Sequence, residues 1–179
     1  MNKLVLDVLE FIDNNLYEEI SIDLIAQSFN YDKFYIMKSF KKELGISIIT
    51  YINYLKVLRS LSYFNNDDSI LKIALCNGFN SLEYFSEIFK TFLGVSPITY
   101  KKYVNGEFLS IEEMNLLRES IHGITCYARF IDNYKHGIKL EEDIGISLVL
   151  YRDTNKKVAA LLQRLFLEWI YIYFNFLKS

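Results

Sequence analysis

Residues 45–51 read Gly-Ile-Ser-Ile-Ile-Thr-Tyr, and residues 94–100 read Gly-Val-Ser-Pro-Ile-Thr-Tyr. Five of the seven positions are identical and the other two pairs are apolar. The likeness continues upstream, where Phe40-Lys41 precedes Gly45 as Phe89-Lys90 precedes Gly94. Further up, Ile25-Ala26 and Ile73-Ala74 open the two copies. Self-similarity at a period of about 49 residues is the mark of a duplicated supersecondary unit.

Helical spacing runs through both copies. Leu4, Val5, Val8, Leu9, Phe11 and Ile12 predict a first helix over 3–14. Ser21 is a suitable N-cap for a short helix over 22–28, with Asp23 in its favourable first turn. Asn30-Tyr31 form a turn and Asp32 caps a helix over 33–44. A short helix, a tight turn and a second helix make a helix-turn-helix unit. Gly45 ends it, and Ser47 caps a long apolar helix over 48–64 that Asn65-Asn66-Asp67-Asp68 breaks. The second copy repeats the plan. Ser69 caps a helix over 70–77, Gly78 turns the chain, and Asn80 or Ser81 caps a helix to about 92. Ser96-Pro97 then starts a short helix over 97–104. Residues 1–104 are thus expected to be a mainly α, tandem helix-turn-helix domain of about seven helices.

The exposed faces follow from the same arithmetic. Ile36, Phe40 and Leu44 form a core stripe on the 33–44 helix, leaving Phe34, Met37, Lys38 and Lys41 on the other side. In the second copy Phe85, Phe89 and Phe92 point inward, and Leu82, Glu83, Glu87 and Lys90 point out. An exposed Phe and Met beside lysines belongs either to a partly covered packing helix or to one that enters a DNA groove. The connector over 48–64 would span roughly 25 Å, and successive major-groove faces repeat every ~34 Å. One chain could then place two helices on one face of a duplex and read an asymmetric site.

These residues resemble the DNA-binding domain of the AraC/XylS family of transcription regulators. The matching stretches are Leu24-Ile25-Ala26, Ile36-Met37-Lys38-Ser39-Phe40-Lys41 and Gly45-Ile46-Ser47 in the first half. In the second they are Ile73-Ala74, Gly78-Phe79-Asn80-Ser81, Tyr84-Phe85-Ser86, Phe89-Lys90, and Gly94-Val95-Ser96-Pro97 with Tyr100-Lys101. The resemblance covers residues 3–103. It implies base contacts from Phe34, Met37 and Lys38 in the first unit and from Leu82, Glu83 and Glu87 in the second. It also implies phosphate contacts from Lys33, Lys41, Lys42 and Lys90, helped by amides at helix N-termini. The implied partners are double-stranded DNA and the transcription machinery.

Two departures from the family pattern matter. Glu87 stands where the family commonly has Arg, exchanging a bidentate donor for an acceptor that can only receive, for example from cytosine N4. Either the second unit reads a cytosine through its carboxylates, or it supports the fold while the first unit supplies most binding. The charge asymmetry between the units favours the second account. In the connector, Lys56 and Ser60 replace the usual Arg and Ala; Lys56 would still supply charge to a phosphate.

Composition bounds the rest. Hydrophobic residues make up 51% of the 179 and charged residues 23%, which suits a packed core. Net charge is −2, with 11 Lys and Arg against 12 Asp and Glu over 1–104, so any nucleic-acid surface must be local. Lys outnumbers Arg fifteen to five, favouring point charges over planar forks. Cys76 and Cys126 have no ligand-like spacing and are expected to be reduced, buried thiols. The N-terminus lacks a signal-peptide pattern, giving the expectation of a cytoplasmic protein.

Residues 105–179 are expected to form a small α+β unit. Ser110-Ile111-Glu112-Glu113 is a capping-box signature for a helix over 111–120. Residues 124–131 read as a strand and 145–151 as a second, separated by a turn at 132–137. Thr154 caps a long apolar helix over 154–178, a candidate homodimer contact; Arg164 and Glu168 argue against its crossing a membrane. Tyr127, Trp169, Tyr171, Tyr173, Phe174 and Phe176 either line a pocket for a small-molecule effector or are ordinary core or dimer seam. No catalytic motif, cofactor fingerprint or metal-ligand spacing appears, His122 and His136 lacking a third ligand. Two functions of different class therefore compete: a DNA-binding regulator, and a degenerate helix-turn-helix protein acting through protein–protein contact.

Overall fold

A computed structural model describes residues 2–16, 20–65 and 67–137. Seven helices follow one another through the tandem region: α1 (Lys3–Asn15), α2 (Ile22–Phe29), α3 (Lys33–Leu44), α4 (Ile48–Ser60), α5 (Ile70–Cys76), α6 (Leu82–Leu93) and α7 (Pro97–Val104). An eighth, α8 (Ile111–Lys135), follows them. Among the described residues there is no strand.

Small polar side chains set the starts of these helices. Ser21, Ser47, Ser69, Ser81 and Ser96 each accept a hydrogen bond from the amide three residues on, as N-capping requires. Asp32 accepts from two amides, those of Phe34 and Tyr35. Gly45 and Gly94 end α3 and α6 at positive φ, 77° and 73°, and return their amides to Lys41 O and Lys90 O. The duplication is therefore geometrical as well as textual. The turn entering each third helix is alike too, with Tyr31 N donating to Ala26 O and Phe79 N to Ala74 O, both at 3.1 Å. The single extra residue of the second copy lies within that turn.

Helix α4 ends earlier than its apolar pattern suggests. Residues 61–65 tighten into a 3-10 turn, where Ser60 Oγ and Ser62 Oγ donate to the carbonyls of Val57 and Arg59. Hydroxyls bonding three residues back compete with the α ladder and favour the narrower turn.

Two apolar clusters form the core, one per unit. The first gathers Val8, Ile12, Ile25, Ile36, Phe40 and Tyr51; the second gathers Val57, Ile73, Phe79, Phe85 and Phe89. Helix α4 serves both, through Tyr51 and Tyr54 at one end and Val57 at the other. Arg59 fastens the two units, its Nε donating to Asn77 Oδ1 at 2.8 Å and its Nη1 to Leu16 O at 3.2 Å. Asn77 is fully buried, yet its amide nitrogen also finds Ile73 O at 2.8 Å, so no polar atom there is left unsatisfied. Ser60 is equally buried, with its hydroxyl on Val57 O; this is how the connector tolerates a serine.

The strand expected over 124–131 is a correction: those residues continue α8, which began at its capping box on Ser110 and Glu113. Leu117, Tyr127 and Ile131 are buried, with Ile121 and Ile124 partly so. That stripe recurs every three to four residues, so only a helix lays it on the domain. Tyr127 is consequently part of the first unit's core, the ordinary-core reading of that residue. The expected strand over 145–151, the 154–178 helix and Trp169, Tyr171, Tyr173, Phe174 and Phe176 lie outside the described residues. Cys76 is exposed rather than buried, and Cys126 half-buried; both are free thiols. Among the described residues no helix is long and apolar enough to cross a membrane.

Candidate nucleic-acid interface

Helices α3 and α6 are both twelve residues long and begin 49 positions apart, so their faces can be compared residue for residue. Phe34 stands where α6 has Glu83, Met37 where it has Ser86, Lys38 where it has Glu87, and Lys41 where it has Lys90.

On α3 the predicted face is open. Phe34 is 68% exposed and Met37 36%, while Lys38, Lys41 and Lys42 are exposed beside them. Behind them Ile36, Phe40 and Leu44 are buried. The fold therefore uses one side of α3 and leaves the other, with its apolar and cationic groups, to solvent. Tyr31 and Tyr35 extend this surface as a stacked pair with centroids 5.8 Å apart.

Local chemistry alters two expected phosphate contacts. Lys33 Nζ lies 3.0 Å from Asp23 Oδ1 and 5.9 Å from the Phe34 ring centroid, so its charge is shared within the surface. The amides of Phe34 and Tyr35 are both taken by the Asp32 carboxylate at 3.0 and 3.1 Å. Among the described residues Lys38, Lys41 and Lys42 have no ion-pair partner. Lys41 and Lys42 also occupy the last turn of α3, where positive charge favours the helix dipole.

On α6 the picture changes. Glu83 and Glu87 are exposed and Leu82 is half-buried. Glu83 lies in the first turn, where a carboxylate stabilises the helix. Lys90 is the exposed cation of the last turn. Tyr84, which sequence reasoning did not single out, is 43% exposed and its hydroxyl accepts from Asn53 Nδ2 at 2.9 Å. This contact ties α6 to α4. It has no counterpart in spacing along the chain, since the partners are 31 residues apart.

Lys56 of α4 also has a contact within the fold. Its ammonium donates to Gly78 O at 2.9 Å and lies 5.8 Å from the Phe79 ring centroid. It holds α4 against the turn before α6.

Comparison with known proteins bears on this arrangement. A family described as a helix-turn-helix domain matches residues 25–103. The Tn10 transposon protein TetD of Escherichia coli is 31% identical over 97 residues, 53% of this chain and 70% of TetD. The chain belongs to the AraC/XylS helix-turn-helix family. The HTH-type transcriptional activator AarP of Providencia stuartii is 29% identical over 101 residues, covering 56% of this chain and 75% of AarP. An AraC-type DNA-binding regulator from Chromobacterium violaceum shares the fold with a TM-score of 0.51 at 22% identity, over 56% of this chain and 91% of that one. An AraC/XylS domain is a DNA-binding module of transcription regulators, and α3 and α6 each leave one face open to solvent.

Proposed function

We propose that this chain is a sequence-specific transcription regulator that lays α3 and α6 into successive major grooves of one duplex, with α3 supplying most of the affinity. The observation that carries this reading is the outer face of α3. Phe34, Met37, Lys38 and Lys41 are exposed and contribute little to the core, on the helix that a helix-turn-helix unit presents to DNA. At the matching positions of α6, Glu83 and Glu87 oppose a phosphate backbone. That helix is better suited to docking the second unit than to driving association. Base contacts are assigned to Phe34, Met37 and Lys38, with Leu82, Glu83 and Glu87 secondary. Phosphate contacts are assigned to Lys41, Lys42 and Lys90, with Lys33 contributing once Asp23 yields it. Modulation by a small-molecule effector, or by a second copy of the chain, would reach this surface through α8.

The test is capture of genomic fragments by the purified chain, sequencing, and a salt titration on the recovered duplex. Phosphate contacts make log K fall linearly with log salt. A steep negative slope is the expected result. A flat response, or no recovered duplex, would favour the protein–protein reading to which the acidic α6 face lends its support.

A further inference from the structure

Helix α3 carries few groups able to read a base edge by hydrogen bonds. Its sequence, Lys33 to Leu44, contains no Arg, Asn or Gln, the side chains that grip guanine and adenine bidentately. Of the outward residues, Lys38 offers point-charge donation and Phe34 and Met37 offer only apolar surface. Phe34 is among the most exposed large hydrophobics of the fold at 68%, so leaving it in water costs free energy that the folded domain does not recover. The lysines around it match a polyanion and not an acidic-poor apolar partner.

The major groove has one apolar feature, the C5-methyl of thymine. We propose that α3 reads thymine methyl groups, Phe34 and Met37 contacting the methyls of two thymines within a single half-site while Lys38 donates to a neighbouring acceptor such as O6 or N7 of guanine. Residues three or four apart on a helix stand about 5–6 Å from each other, and bases along one strand follow at about 3.4 Å. The two thymines therefore fall one or two steps apart. On α6 the equivalents of Phe34 and Met37 are Glu83 and Ser86, so this paired reading of two methyls belongs to the half-site that α3 enters. This inference rests on the DNA-binding reading above.

The experiment selects duplexes from a randomised pool with the full chain, then remakes the selected duplex with deoxyuridine in place of each thymidine in turn. Uracil keeps the hydrogen-bonding pattern and lacks only the methyl. Loss of about fourfold in affinity per methyl is expected at two positions of the half-site that α3 enters. Phe34→Ala should bind the thymidine and deoxyuridine duplexes equally at one of those positions, and Met37→Ala at the other. Both side chains lie outside the core, so both variants fold. Binding that is indifferent to uracil throughout, or a uracil penalty unchanged in both variants, would overturn methyl reading while leaving DNA binding intact. Failure to enrich any duplex would remove the DNA-binding reading and this inference with it.

Discussion

The hydroxyl of Tyr127, buried midway along α8, donates to the carbonyl of Leu44 at the end of α3 across 3.2 Å. Eighty-three residues separate the partners. The same helix receives a hydrogen bond from Tyr54 on Ile124 O at 3.2 Å, bonds Glu43 through Tyr134 at 2.9 Å, and pairs Lys135 with Asp13. At its other end Glu113 meets Thr99 and Leu117 enters the second core. α8 is therefore a strap over both units, and its two ends hold different ones.

Removing the strap's central bond should be felt in stability. Tyr127→Phe is expected to cost about 1 kcal/mol, the net worth of a buried neutral hydrogen bond. Tyr127→Ala should cost about 3–5 kcal/mol, because the ring packs edge-on against Tyr54 at 5.4 Å and its loss opens a cavity. Urea denaturation of the three proteins checks the order. Equal losses for Phe and Ala would mean that α8 is not packed as described.

Gly94 offers a second probe of the strap. Its φ of 73° disfavours any L side chain, and a Cβ there would stand 2.7 Å from Ser120 Oγ and 2.9 Å from Leu116 O. The serine can rotate away, whereas the carbonyl belongs to the backbone of α8. Gly106 has a similar φ of 77° and open space around it. Gly106→Ala should therefore cost only the left-handed penalty of about 1–2 kcal/mol. Gly94→Ala should cost clearly more by forcing α8 outward, and denaturation midpoints measured in parallel would show the difference.

The contrast between the two outer faces predicts unequal binding losses. Lys38→Ala should weaken specific duplex binding by about 1–3 kcal/mol and Lys41→Ala should lower the salt slope by about one. Glu87→Ala should leave affinity unchanged or raise it, since a carboxylate beside phosphate is repulsive. Fluorescence anisotropy at two salt concentrations separates these cases. A Glu87→Ala protein as impaired as Lys38→Ala would show that α6 reads bases through its carboxylate.

Most of the tandem domain was legible because its signals are local. Ser21, Asp32, Ser47, Ser69, Ser81 and Ser96 each declare a helix start within three residues of themselves, and the stripes at Ile36, Phe40 and Leu44 declare its buried side. The 124–131 stretch misled for the opposite reason. Ile124, Thr125, Tyr127, Phe130 and Ile131 carry strand propensity, and Gly123 interrupts the helical run before them. Only the distant partners Leu44, Tyr54 and Glu43 reveal that the stripe from Leu117 to Tyr134 is continuous. The open faces of the candidate site were likewise readable from spacing. The pairing of Lys33 with Asp23 and of Lys56 with Gly78 was not, because it depends on which turn folds back beside which helix.

The strap also carries a titratable group. His122 on α8 has its pKa lowered, first by burial and then by the nearby charge of Arg129; Cys126 Sγ lies 3.6 Å from its Nε2. The unfolded chain, with an ordinary value near 6.5, thus binds the proton more readily than the folded one. Stability linked to this group is fully present above about pH 6.5 and declines as the pH falls through that value toward the lower folded pKa. Glu113, whose pKa is lowered chiefly by the Ser110 amide, contributes its own loss only below about 4.5, outside a window of pH 5.5 to 8, and His122→Gln separates this imidazole from the other groups that titrate there. Across that window wild type should lose more stability on acidification than His122→Gln. Parallel slopes for the two proteins would place the imidazole in ordinary solvent and detach it from the packing of α8.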